Sequence, residues 1–171
     1  MKKILLITFF AVTSILTSTA AAKSRAASDF GLGIILGAPT GITAKYWLDS
    51  QNAIDGGLSF SLSDYVLVYG DYLIHKSRLF GNQNQFTSEL DFYYGLGANI
   101  VVTTKDRDTN DYYLGKKSGS AGFSVRVPFG VEWKPAEPSI GIFAELVPGM
   151  SIIPSTAVVF QGGLGARYYF P

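Results

Sequence analysis

The chain has no cysteine. That removes disulfides, thiolate metal sites, a cysteine nucleophile and a lipidated N-terminal cysteine together. One histidine in 171 residues leaves little scope for imidazole chemistry. Charge is scarce as well: Asp, Glu, Lys and Arg make up 16% of the chain, against about a quarter in soluble domains. The balance of 14 basic and 13 acidic residues, a net +1, lacks the basic surplus expected of a nucleic-acid binder. No apolar run reaches the ~20 residues that a transmembrane helix needs. What is plentiful is apolar: 47% hydrophobic residues, 14% aromatics and 19 glycines. The length suits one domain, enough for a full core or a closed barrel.

Residues 1–22 have the anatomy of a cleavable secretory signal peptide. Met1-Lys2-Lys3 is a basic start, Ile4 to Leu16 is mostly apolar, and Ala20-Ala21-Ala22 supplies small residues for cleavage after Ala22. Cleavage would remove 22 of the 171 residues and two lysines. The product then has 149 residues, with 12 basic against 13 acidic. Residues 23–29 read as an N-terminal extension, and any membrane span in 30–171 must be built from strands.

From Phe30 onward the chain repeats one theme, 8 to 14 residues of period-two alternation followed by a turn signal. Eight segments result, at 30–37, 41–48, 53–63, 65–75, 90–102, 120–133, 139–149 and 156–170. The connectors carry turn chemistry, as in Ala38-Pro39-Thr40, Ser63-Asp64, Lys134-Pro135 and Pro154-Ser155. An even number of strands with short links predicts an all-β, eight-stranded, antiparallel up-and-down barrel.

Each segment has two faces of opposite character. One is apolar throughout, for example Phe30, Leu32, Ile34 and Leu36, or Val158, Phe160, Leu164, Ala166, Tyr168 and Phe170. The other holds glycines, small polar residues and a sparse set of charges: Lys45, Asp55, Asp71, Asp91, Arg126, Glu132, Glu145 and Arg167. A solvated outer face normally carries several charges per strand. Isolated opposite charges among small residues suit a narrow filled lumen, where they pair because unpaired buried charge is costly. Three basic and five acidic residues would leave that lumen at net −2. The apolar face then meets lipid, where a closed barrel satisfies every strand hydrogen bond. A lipocalin-like soluble ligand carrier is the inside-out alternative, and it would need a large apolar lumen. Aromatics such as Tyr46-Trp47, Tyr93-Tyr94, Trp133 and Tyr168-Tyr169-Phe170 fall near segment ends, as interfacial girdles do. Gly31, Gly33 and Gly37 are read as relieving crowding, since no helix follows them to complete a phosphate loop.

The C-terminal Gly165-Ala166-Arg167-Tyr168-Tyr169-Phe170 resembles the terminal-strand signal read by the outer-membrane barrel-assembly machinery, with Gly165, Tyr168 and Phe170 at its key positions. Family members end on the aromatic itself, whereas this chain ends on Pro171. In length and layout the chain resembles small eight-stranded outer-membrane barrels of the OmpA-domain and OmpX type. Gly37-Ala38-Pro39-Thr40-Gly41, Lys45-Tyr46-Trp47, Tyr94-Gly95-Leu96-Gly97 and Arg126-Val127-Pro128-Phe129-Gly130 resemble a group of these without an assigned activity. The resemblance implies a monomer in the bacterial outer membrane with its N-terminus periplasmic. Its partners would be outer-membrane lipid and lipopolysaccharide, with no nucleic acid.

In that topology the longest outward link is 103–119, carrying Lys105, Asp106, Arg107, Asp108, Lys116 and Lys117. It reads either as a solvated mixed-charge loop or as a contact site for lipopolysaccharide phosphates or a host or phage partner. The 76–89 link is long for a periplasmic turn, and its Leu79, Phe80 and Phe86 suggest that the flanking strands extend into it. Pro128, in the middle of the sixth segment, predicts a bulge because its N–H is missing from the ladder.

Chemistry is thin. A lipid A-modifying membrane enzyme would have to use His75, with Ser77 and Asp71 nearby in sequence. Residues four apart on a strand are ~13 Å apart, beyond hydrogen-bond reach, so His75 reads instead as an interfacial residue at a strand end. No spacing suits a tetrahedral metal site. The acidic residues of the 103–119 link are interrupted by Lys105 and Arg107, which disfavours Ca²⁺. No cofactor is expected. A diffusive pore is disfavoured because eight strands leave a lumen that side chains fill, here Trp47, Tyr93, Phe143 and Tyr169, but a narrow pore remains an alternative. The reading is a structural or surface-contact barrel without catalysis.

Overall fold

A computed structural model describes residues 30–60, 65–81, 84–104, 120–135 and 137–170. The expected signal peptide and the 23–29 extension lie outside the described residues, as do Ser63, Asp64 and Pro171. The described chain forms β1 (Phe30–Ala38), β2 (Gly41–Trp47), β3 (Asn52–Phe60), β4 (Tyr65–Ser77), a helical turn α1 (Gln85–Ser88), β5 (Leu90–Thr103), β6 (Ala121–Arg126), β7 (Phe129–Trp133), β8 (Ile140–Ile153) and β9 (Ala157–Phe170). All strand pairs are antiparallel, and β9 returns to β1 from Phe30↔Phe170 to Ala38↔Gly162. The sheet is therefore closed.

Nine strands occupy eight positions, because β6 and β7 both lie between β5 and β8. They are the two halves of the sixth segment, parted at Val127-Pro128. The bulge expected at Pro128 is not there. Register against β5 runs Gly97↔Arg126 above the break and Tyr94↔Phe129 below it, so no residue is gained or lost. The Pro128 carbonyl accepts the Gly95 N–H at 2.9 Å. Pro128 cannot return the bond that an antiparallel pair exchanges, so the ladder is interrupted without a shift. The register irregularity falls instead at Phe123/Ser124, opposite β8.

Following facing residues round the barrel from Gly31 leads through Lys45, Asp55, Asp71, Gly97, Arg126 and Gly149 to Val159. Gly31 itself faces Tyr169, ten residues further along β9. With eight strand positions, a stagger of ten implies a strand tilt of about 40° and a narrow barrel.

Side-chain alternation has inverted polarity. Among the described residues, thirty large hydrophobics are exposed, and the buried set comprises fifteen polar or charged residues against ten hydrophobic ones. Phe160 is 79% exposed and Leu146 72%, whereas Lys45 and Glu132 are fully buried. Large hydrophobic residues are exposed on the outer wall and the charged residues of the strands are mostly buried.

Glycine and aromatic residues face each other across neighbouring strands inside the barrel: Gly31↔Tyr169, Gly57↔Tyr69, Gly130↔Tyr93 and Gly165↔Phe143. A Cβ on Gly31 would lie 2.6 Å from the Tyr169 ring, and one on Gly57 2.5 Å from the Tyr69 ring. Cβ atoms on Gly130 and Gly165 would overlap Tyr93 and Phe143. The general relief of crowding expected of the glycines thus takes a specific form: each of these four makes room for one ring to pack against the facing strand.

Links differ from expectation at two places. β8 runs on to Ile153 rather than ending at 149, because Pro148 keeps its pairing with Phe160. β4 extends two residues to Ser77, but β5 starts at Leu90, so Leu79, Phe80 and Phe86 belong to the link and not to strands. Asp49 closes the β2–β3 turn. Its carboxylate accepts from the Asn52 side chain at 2.8 Å and from the Gln51 and Asn52 backbone N–H groups at 2.7 and 2.8 Å. These bonds hold its carboxyl below the ordinary range.

Candidate functional site

The candidate site is the interior of the barrel, where strand alternation collects the charges. Lys45 on β2 and Glu132 on β7 stand on opposite walls, yet Lys45 Nζ reaches Glu132 Oε2 at 2.7 Å. Tyr169 Oη donates to Glu132 Oε1 at 2.5 Å. Arg167 donates from Nη2 to Asp55 Oδ2 at 2.5 Å and to Thr43 Oγ1 at 2.8 Å, and its Nη1 lies 4.0 Å from Glu132. Its guanidinium covers the Phe143 ring, 3.8 Å from the centroid.

Arg126 joins a second group higher in the lumen. Its Nε lies 3.1 Å from Asp71 Oδ1, and its Nη2 lies 3.6 Å from Glu145 Oε1. Neither contact has hydrogen-bond alignment, and Arg126 Nε, Nη1 and Nη2 have no hydrogen-bond partner. The attraction is therefore Coulombic, supplemented by the Tyr69 ring 4.2 Å from the guanidinium carbon. Glu145 also accepts from Tyr93 Oη at 3.1 Å. Asp55 and Asp71 face each other directly across β3 and β4, and each is neutralised by a different arginine.

Asp91 stands apart, at the end of the barrel that holds Phe30 and Phe170. Its partner is Lys134, at 3.4 Å, the first residue after β7. Lys134 Nζ also caps the Trp47 ring at 3.9 Å. The expected lumen set of three basic residues therefore gains a fourth cation at its rim. The expected net −2 falls to −1 once Lys134 is counted against the five carboxylates.

His75 is corrected from an interfacial residue to a lumen residue, 1% exposed. It shares the inward parity of Asp71 and Leu73. Its ring lies between Trp47, at 4.3 Å between centroids, and Tyr93, at 5.1 Å. Neither ring nitrogen has a hydrogen-bond partner, and Asp71 is committed to Arg126. Ser77, the other candidate, is exposed at the strand end. Trp47, Tyr93, Phe143 and Tyr169 all project into the lumen with His75 and fill its lower half. Among the described residues, no group of three His, Asp or Glu side chains is arranged to hold a metal ion.

Gly165 lies on the inner face of β9, whereas Tyr168 and Phe170 lie on the outer one. Their rings pack edge to face, 5.1 Å apart, and Phe170 stacks with Phe30 at 6.0 Å across the closing seam. Lys105, Asp106, Arg107, Asp108, Lys116 and Lys117 lie outside the described residues.

No family model matches the chain, and no curated protein does. Among solved structures it is similar to the crystal structure of the N-terminal β-barrel domain of Pseudomonas aeruginosa OprF. The TM-score is 0.55 at 15% identity, covering 82% of this chain and 95% of that one. The likeness is one of fold, a β-barrel of similar extent.

Proposed function

We propose that the chain is a small integral outer-membrane β-barrel with a structural or surface-contact role and no catalysis. The observation that carries this is the inverted polarity of the barrel. Its wall exposes large apolar side chains on every strand position while the charges are buried and paired inside. In water such a wall would bind to itself, since soluble monomers rarely expose continuous apolar patches beyond a few hundred Å². In a bilayer it is the required surface, and closure leaves no unpaired strand edge. A soluble ligand carrier needs the reverse polarity.

Both termini of the described barrel lie at one end, which we take as periplasmic. The ends of β5 and β6 that flank the 103–119 link then face outward, and the mixed charges of that sequence suit contact with lipopolysaccharide phosphates or a surface partner. Gly165, Tyr168 and Phe170 would be read by the barrel-assembly machinery during insertion. Against a lipid A-modifying enzyme stand the aromatic stack around His75 and the engagement of Asp71 elsewhere. Against a pore stands a lumen crossed by Lys45–Glu132 and filled by four rings. The test is density-gradient fractionation of cells carrying the tagged protein. Recovery in the outer-membrane fraction, resistant to alkaline carbonate, is expected; recovery in the soluble periplasmic fraction would overturn the proposal.

A further inference from the structure

The link between β4 and β5 is long and mostly polar in sequence, yet it exposes three large apolar side chains. Leu79 is 62% exposed, Phe86 55% and Phe80 45%. Two residues in the left-handed region turn it, Arg78 at φ 63° and Gly81 at φ 84°. Arg78 has a Cβ, so this backbone is costly and must be held by its surroundings.

The second half of the link, from Phe86 to Glu89, lies on the outer side of the barrel. Phe86 stacks on Trp133, with centroids 5.9 Å apart. Trp133 alternates with the buried Glu132, so it belongs to the outer wall. Trp133 Nε1 donates to Glu89 Oε2 at 3.1 Å, and the Lys134 N–H donates to the Glu89 carbonyl at 3.0 Å. These contacts fix Phe86 and Glu89 against the outside of the barrel at the end of β7. Lys76 continues the outward alternation of Tyr72 and Ile74 and is exposed, as is Arg78.

The outer wall at this end therefore grades from aliphatic residues to a rim of aromatic and basic ones. That is the composition of a bilayer interface, where rings lie at headgroup depth and cations meet phosphate. We propose that residues 76–81 and 84–88 form an interfacial anchor in the leaflet at this end. Leu79, Phe80 and Phe86 occupy the boundary between acyl chains and headgroups, and Lys76 and Arg78 bind phosphates of anionic phospholipid. The inference rests on the membrane reading and extends it from the barrel wall to this link. It gives the link a use that a minimal turn could not serve.

A chain without cysteine allows single nitroxide labels to be placed at will. Leu79→Cys, Phe80→Cys, Leu96→Cys and Asp49→Cys variants are labelled in the full barrel. Each is reconstituted in phosphatidylethanolamine–phosphatidylglycerol vesicles and measured for collision with oxygen and with a water-soluble nickel chelate. Leu96 reports the middle of the wall and Asp49 a turn at the same end. Labels at 79 and 80 are expected to favour oxygen severalfold over the Asp49 label, approaching the Leu96 label. Labels at 79 and 80 that match Asp49, while Leu96 favours oxygen, would overturn the anchor alone. Labels at 79 and 80 shielded from both probes would overturn it in favour of a protein cover. A Leu96 label that favours nickel would overturn the membrane reading and the anchor together.

Discussion

Lys45 and Glu132 meet across the full width of the barrel, and that single bond shows how narrow the interior is. A lysine and a glutamate from opposite walls leave no clear path between them. At the residue scale the interior depends on each carboxylate keeping its cation, because a buried charge without one costs far more than a paired charge gains. Arg126 is the sharpest case, since among the described residues it is the cation paired with both Asp71 and Glu145. Arg126→Leu should lower unfolding stability in urea, measured in lipid vesicles, by about 3–5 kcal/mol. Arg126→Lys, which keeps the charge, should recover part of the loss. Equal stability of Arg126→Leu and the parent would mean the two carboxylates do not depend on this side chain. The glycines give a second contrast. Gly130→Ala would push a methyl into Tyr93, whereas a Cβ on Gly70 meets nothing within 4 Å. Gly130→Ala should cost about 1–3 kcal/mol in the same assay, and Gly70→Ala should be neutral or slightly stabilising.

At the scale of single elements, the strands were legible because a period of two is the strongest signal a half-buried strand carries. Both faces could be sorted before any pairing was known, and the eight charges assigned inward are buried. His75 was legible by the same parity, being four residues from Asp71, but the habit of strand-end histidines at interfaces outweighed it. What alternation cannot supply is register. Which glycine faces which ring, and that Lys134 reaches back to Asp91, depend on how strands align, and no single segment encodes that. Pro128 shows the limit of local rules: a missing donor predicts disruption, but a bulge and a clean interruption look alike in sequence. Restoring the donor tests the distinction. In Pro128→Ala the new amide should pair with the Gly95 carbonyl and resist hydrogen exchange as its β7 neighbours do. Rapid exchange at that amide would mean the strand is distorted there and not merely lacking one bond.

Across the whole molecule, closure and polarity support each other. With only eight strand positions, even at a stagger of ten, the walls stay close enough for cross-lumen ion pairs. Those pairs make a charged interior tolerable, which frees the outer wall to be apolar. The likeness to the OprF barrel domain at 15% identity fits a fold kept by alternation and closure, with little dependence on particular residues. The most direct test of a closed barrel with an apolar outer wall is electrophoretic. The refolded protein in detergent is run unboiled and boiled on one gel. A fast, compact unboiled band that slows on heating is expected, because the closed ladder resists detergent until heat opens it. A protein that instead folds to a monodisperse species in plain buffer, with no shift on boiling, would contradict the account and turn the barrel inside out.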